Sequence, residues 1–199
     1  QCDVCIIGGG LSGITTAYYL SKINSNLKVV ILEKNKIGWG ASGRNGGQLL
    51  NGFSSDDFKG QKHTEEEQKY LWNFTVDAVR EVKKNINKHK IDCDLVEGYL
   101  LTAVKKNHDE ELKKHVDYLQ NKFDYNSATY LSKDKMKDYF DSPYYISAMY
   151  DNECSQIHPL NYCLGLANEL KKNNNIKIYE DTSVESYESG NKIKIKLNN

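Results

Sequence analysis

The sequence predicts an α/β fold built around a parallel sheet, and three features near its start carry that expectation. An apolar strand runs into a glycine cluster, an amphipathic helix follows at once, and a second apolar strand ends on an acid. Cys2-Asp3-Val4-Cys5-Ile6-Ile7 is the first strand, and a short apolar run before Gly8-Gly9-Gly10 suits burial in a parallel sheet. From Leu11 to Ile23 the residues Leu11, Ile14, Ala17, Tyr18 and Leu20 return at helical spacing, and Asn24-Ser25-Asn26 closes the helix. Leu27 to Leu32 is the second strand, with Glu33 at its tip. Strand, helix and strand make a βαβ unit, whose crossover is right-handed.

Residues 38–52 hold glycines at 38, 40, 43, 46, 47 and 52, too many for a regular element, so this backbone is expected to lie close against something. Thr64 with Glu67 fits a capping box opening a long helix, in which Leu71, Phe74, Ala78, Val82 and Ile86 recur as far as His89. Gly98 to Val104 alternates as a strand, and Asp109 to Phe123 is a charged amphipathic helix. Ser132 to Phe140 reads as a shorter helix and Ile146 to Tyr150 as a returning strand. After His158-Pro159 come a helix from Leu160 to Leu170 and a strand from Ile176 to Tyr179. Val184 to Tyr187 and Lys192 to Leu197 form a hairpin through Ser189-Gly190-Asn191. The expected organisation is a discontinuous domain, residues 1–92 with 151–199, interrupted by part of an α+β domain at 93–150.

Composition narrows the function classes. The chain has 199 residues, and 27 Lys+Arg balance 27 Asp+Glu. Neutrality without a local basic stripe argues against a nucleic-acid partner. No apolar run approaches the roughly 18–20 residues that a membrane span needs. Five cysteines, at 2, 5, 93, 154 and 163, form no dense framework, and with no leader visible the expectation is reduced thiols in the cytoplasm. Gln1 opens inside an apolar strand and the chain stops after a strand-like stretch, so a piece of a longer protein is expected.

Gly8-x-Gly10-x-x-Gly13 sits where the first strand ends and the helix opens. Gly8 permits the tight turn, Gly10 lets backbone approach a pyrophosphate, and Gly13 lets the helix pack on the strand. The helix N-terminus, through Leu11 and Ser12, offers N–H groups and a partial positive charge to an anion. Glu33 lies 20 residues past Gly13, where a carboxylate accepts both hydroxyls of an adenosine ribose and disfavours a 2′-phosphate. The pattern is that of a Rossmann-like dinucleotide-binding domain and does not separate FAD from NAD.

The next segment does. Ile37-Gly38-Trp39-Gly40-Ala41-Ser42-Gly43-Arg44-Asn45-Gly46-Gly47-Gln48 resembles the second flavin-contacting loop of FAD-dependent oxidoreductases of the D-amino-acid oxidase/glycine oxidase class. Within that class it looks most like the γ-glutamylputrescine oxidase-type amine oxidases. The resemblance continues at His158-Pro159-Leu160, Gly165-Leu166-Ala167 and Thr182-Ser183-Val184, while residues 60–150 match only in layout. It implies FAD held by Gly8, Gly10, Leu11, Ser12, Gly13, Glu33, Lys34, Gly40, Ala41, Ser42, Arg44, Asn45, Gly46, Gly47, Gln48, Leu49 and Val184. Arg44, one of two arginines, offers pyrophosphate a planar fork, and Ser42 offers it a hydroxyl. Val184 would meet adenine through its main chain, with Gln48 and Leu49 near the isoalloxazine.

The implied activity is oxidation of a C–N bond in a small amine or amino acid. Hydride passes to flavin N5, the imine is hydrolysed, and O2 is reduced to H2O2. No catalytic acid or base is assigned, because a neutral amine needs none. Three alternatives stay open: a dehydrogenase passing electrons to a quinone or carrier protein, a flavin-binding module without turnover, and an NAD enzyme. Cys2-x-x-Cys5 is read as packing, since strand positions three apart face opposite ways. Cys154 and His158 alone make no closed metal site. His158-Pro159 fixes the turn into the next helix, His63 is a surface histidine rather than a covalent flavin anchor, and Tyr139, Tyr144, Tyr145 and Tyr150 are core and rim rather than a substrate cage.

Overall fold

The computed structural model describes residues 1–52 and 63–198; residues 53–62 and Asn199, which belong to the expected cofactor-binding ranges, lie outside it. Contacts gather the chain into two compact units, Gln1–Gly47 with Asn85–Asp94 and His158–Asn199, and Gln48–Lys84 with Leu95–Ile157.

The first unit is built on β1 (Val4–Ile7), α1 (Leu11–Ile23) and β2 (Val29–Leu32), the expected βαβ. α5 (Pro159–Lys171) leads into β7 (Ile176–Tyr179), which pairs parallel with β2, so the sheet order is β1-β2-β7. Ile14, Ala17 and Tyr18 of α1 are buried, as are Val29 and Ile31 of β2 and Leu166, Ala167 and Leu170 of α5. Those apolar faces pack together, which is what the helical spacing of the sequence requires. β8 (Ser183–Glu188) and β9 (Lys194–Asn198) form the expected antiparallel hairpin. α5 starts at Pro159, and the His158 imidazole caps it by accepting from Asn161 N at 3.2 Å.

The second unit is antiparallel. Its central strand is β6 (Ser147–Gln156), paired along its length with β4 (Val96–Ala103). The other edge of β6 meets β5 (Ala128–Ser132) at its start and β3 (Gln48–Leu49) at its end. The long helix α2 (Glu65–His89) opens on the expected capping box, with Thr64 N donating to Glu67 Oε2 at 2.7 Å and Glu67 N donating to Thr64 Oγ1 at 3.2 Å. α3 (Lys106–Phe123) buries Leu112, Val116 and Leu119 with Val76, Tyr125 and Met149.

Four expectations change. The helix foreseen over Ser132–Phe140 is only α4 (Lys133–Met136): Asp138 N already bonds three residues back to Lys135 O, a turn rather than an α-helical continuation. β3 and β5 appear where no strand was read, because each gains its hydrogen bonds from β6 rather than from local pattern. The units also divide differently from the expected 1–92 with 151–199 against 93–150. Residues 48–84 and 151–157 gather with the antiparallel sheet, since β6 runs on through Gln156 and draws β3 with it. Finally, Cys2 and Cys5 interact instead of facing fully apart: burial, and after it the neighbouring Cys2, raises the Cys5 thiol. Asp3 is a bend whose N–H and that of Val4 both donate to Lys28 O, so the pleat starts only at Val4.

Candidate cofactor site

The glycine turn is built around three close approaches. Gly8 has φ +105°, a region that favours glycine, and its N–H donates to Leu32 O at 2.8 Å. A Cβ on Gly13 would stand 2.1 Å from Gly8 O, so the first turn of α1 rests directly on the end of β1. A Cβ on Gly10 would lie 2.8 Å from Ser42 Oγ. That hydroxyl accepts from Leu11 N at 2.9 Å, which leaves its own hydrogen to donate. Leu11, Ser12 and Gly13 belong to the first turn of α1, whose N–H groups have no helical carbonyl to meet. Backbone donors, a helix dipole and a polarised hydroxyl thus share one spot, a donor set that suits a pyrophosphate.

Glu33 closes the next strand. Its Oε2 accepts from Gly9 N at 2.6 Å and its Oε1 from Asn35 N at 2.7 Å, so the carboxylate is pinned beside the glycine turn. Each oxygen retains a lone pair for a hydroxyl donor. Thr182 N donates to Glu33 O at 2.8 Å and Asp181 N to Asn35 O at 2.9 Å. These bonds bring the start of β8, with Val184, to the same strand tip. Lys34 is exposed there.

The second loop is ordered by its own contacts. Ala41–Gly43 forms a 3-10 turn, and Leu160 and Cys163 of α5 pack beneath it against Gly38 and Gly43. Burial pushes the Cys163 thiol up to about 11, so it acts as packing rather than as a nucleophile. Beside Gly40 and Gly46 an added Cβ would meet nothing within 4 Å, which leaves open space against the backbone. Asn45 Nδ2 donates to Ala41 O and Ser42 O, and Asn45 Oδ1 accepts from Gly47 N, so the exposed Asn45 side chain ties the loop to itself. Arg44 is exposed and turned onto its own loop, with Nε donating to Trp39 O at 2.6 Å and the guanidinium 4.7 Å above the Trp39 ring. Gln48 and Leu49 lie in β3, in the second unit.

A family model described as FAD dependent oxidoreductase matches residues 3–197 of this chain. The chain belongs to the FAD-dependent oxidoreductase family. The cofactor of that family is FAD, in agreement with the expectation drawn from the two glycine-rich segments. The chain is 34% identical over 169 residues to a probable oxidoreductase of Haemophilus influenzae, covering 84% of this chain and 38% of that protein. It is 31% identical over 186 residues to the gamma-glutamylputrescine oxidoreductase of Escherichia coli, covering 92% of this chain and 42% of that one. The chain therefore spans about two fifths of the length of these curated relatives. A glycine oxidase structure from Bacillus cereus superposes with a TM-score of 0.72 at 22% identity, over 96% of this chain and 49% of that one, a likeness of fold.

In this member of the family, Gly8, Gly10, Leu11, Ser12, Gly13, Ser42, Glu33 and the start of β8 come together around the N-terminus of α1. Sequence reading missed two supporting groups. Glu180 Oε1 accepts from Ile37 N at 2.7 Å and Lys36 pairs with Asp181 at 2.5 Å, which tie the entry of the second loop to the residues before β8. Cys163 and Leu160, beneath the loop, are the other. The resemblance touched Leu160 and the helical spacing of α5 covered both, but neither says what a buried face meets. Tyr145 and Tyr150 are half-buried, and Tyr139 and Tyr144 exposed, as the core-and-rim reading has it.

Proposed function

We propose that the natural-length protein oxidises a C–N bond of an amine or amino acid with FAD bound at the N-terminus of α1. Ser42 Oγ on Leu11 N, with Glu33 fixed beside Gly9, is the observation that carries this reading. Backbone N–H groups of Ser12 and Gly13 hold the pyrophosphate, with the Ser42 hydroxyl, itself held by Leu11 N, as a further donor and Ala41, Gly40, Asn45, Gly46 and Gly47 shaping the loop against it. Arg44 supplies positive charge through the terminal nitrogens that its Trp39 contact leaves outward. Glu33 takes the ribose hydroxyls, Lys34 lies at its rim, and the Val184 backbone meets the adenine. Gln48 and Leu49 lie by the flavin ring.

FAD, when bound, would supply the hydride acceptor for the substrate carbon, with O2 as the final acceptor reduced to H2O2. On this reading the first unit is the cofactor-binding domain and the second is part of the substrate domain. The substrate class follows the similarity to the gamma-glutamylputrescine oxidoreductase of Escherichia coli and to glycine oxidase structures. A cytoplasmic location belongs to this reading and rests on the five scattered, odd-numbered cysteines of the sequence.

Purified natural-length protein is expected to be yellow, to bleach when γ-glutamylputrescine or a simple amino acid is added without air, and to release H2O2 when air returns. Protein that stays colourless when FAD is supplied overturns the proposal. Bleaching reversed only by an artificial acceptor would replace the oxidase with a dehydrogenase.

A further inference from the structure

The segment that leaves the second glycine loop is held by very little ladder. β3 is two residues long, and its hold on β6 is two pairs, Gln48 with Gln156 and Leu49 with Ser155. A slip of one residue would exchange the faces of Gln48 and Leu49. A chain of side-chain hydrogen bonds from distant parts of the sequence supplies what the ladder lacks. Asn51 Nδ2 donates to the Tyr125 hydroxyl at 2.5 Å, and that hydroxyl donates to Asp151 Oδ1 at 2.8 Å and Oδ2 at 3.0 Å. Asp151 is 3% exposed. Next to Asn51, Gly52 N donates to Thr75 Oγ1 at 2.9 Å, a second anchor on α2.

The same carboxylate shapes its own strand. β6 pairs with β4 at Asp151–Tyr99 and again at Ser155–Glu97, so residues 152–154 bulge opposite Gly98. Two N–H groups inside that bulge turn back on Asp151 Oδ1, Glu153 N at 2.9 Å and Cys154 N at 3.4 Å. One buried acid therefore sets the bulge after which β6 reaches Ser155 and Gln156, and holds Asn51 through Tyr125. Both ends of the β3 register converge on it.

We infer that Asp151 is a positioning residue for the cofactor-facing strand: through Tyr125 and Asn51 it fixes which faces Gln48 and Leu49 present. The inference rests on the proposed function, which places those two residues by the flavin ring. Asp151 itself acts only through its neighbours.

The polarity of the chain gives the test. In natural-length protein, Asp151→Asn keeps an oxygen for the Glu153 and Cys154 N–H groups. Its new amide, however, takes the place of Oδ2 and donates to Tyr125 just as Asn51 does, so the phenol proton must compete with the Glu153 and Cys154 N–H groups for the two lone pairs of the one remaining oxygen. Adding Asn51→Asp reverses the chain and restores a donor and an acceptor at every step. Asp151→Asn is expected to keep its FAD and its melting temperature within a small margin, yet to be reduced by amine about tenfold more slowly. Tyr125→Phe is expected to show the same slowing. The double variant is expected to return to within about threefold of the parent rate, a coupling that independent sites would not show.

A rate unchanged in Asp151→Asn, or a double variant no faster than the product of the single effects, overturns the inference while leaving the functional reading intact. Loss of fold in both single variants, with no recovery in the double, reduces Asp151 to a structural role and also overturns it. A parent protein that takes up no flavin sinks the functional reading and this inference with it.

Discussion

The two units solve the problem of placing polar groups in opposite ways. In the first, the important donors are main-chain N–H groups at the start of α1, and side chains matter chiefly by being absent, as at Gly10 and Gly13, or short, as at Ser42. In the second, the polar groups that matter are side chains, half-buried Asn51 with buried Tyr125 and Asp151, drawn from three separate stretches of sequence. Backbone donors lie where local chain geometry puts them, so a local motif builds the first kind of site. A side-chain network depends on register and packing across a sheet, so it stands only once the whole unit has folded. The first should therefore break at a backbone clash and the second at a lost partner or a strained turn.

Gly13→Ala should be the largest break. Its Cβ meets a carbonyl oxygen, Gly8 O at 2.1 Å, which no rotamer can move. We expect a loss of about 3 kcal/mol or more on thermal unfolding, together with failure to retain FAD. Gly98→Ala is the counterpart in the second unit. Gly98 sits at φ +93°, and the nearest obstacle is the Tyr150 ring at 2.7 Å, a side chain that can swing. Strain of about 1–3 kcal/mol is expected there, read in the same melt. If both variants lose equally, the contrast between backbone-limited and side-chain-limited units fails.

A smaller effect is tied to pH in the first unit. His89 hydrogen-bonds the Tyr18 hydroxyl at 2.7 Å and lies 3.4 Å from Glu169 Oε1. Burial pulls its imidazole below the usual 6.5, and the Glu169 carboxylate only partly offsets this. The unfolded chain then takes up the proton first. Stability is complete above pH 6.5 and drains away as pH falls through the lowered native value. Melting temperature should decline on acidification, and His89→Gln should flatten that slope; an unchanged slope would remove His89 as its source. The smallest effect is at Arg80, whose Nε and Nη2 meet Glu153 at 2.9 and 3.1 Å on an exposed surface of the second unit. Arg80→Ala should cost no more than about 1 kcal/mol, and less at high salt, measured by denaturant unfolding.

Particular residues show why legibility was uneven. The capping box of Thr64 and Glu67, the His158 cap and the strand–glycine–helix turn were all readable, because each is complete within a few residues. The two-residue β3 was not, since glycine-rich sequence carries no strand pattern and its bonds come from residues 155 and 156. The influence of Cys2 on Cys5 escaped as well: a period of two holds only inside a strand, and the bend at Asp3 lies just outside it. The length foreseen for the helix at Ser132 overshot, because past Met136 the chain tightens into turns, with Asp138 N bonded to Lys135 O and Tyr139 N to Met136 O.

The order of residues is enough to specify the βαβ start, the acid at the strand tip, the second glycine-rich loop and hence a family whose cofactor is FAD. Those features are short-range, and glycine, serine and a carboxylate at given spacings leave the backbone few choices. Folding had to settle which segments join each unit, that Cys163 and Leu160 support the loop from below, and that Asp151 reaches Asn51 by way of Tyr125. Each of those depends on bringing together groups far apart along the chain, and only the packed sheet and its register specify which ones meet.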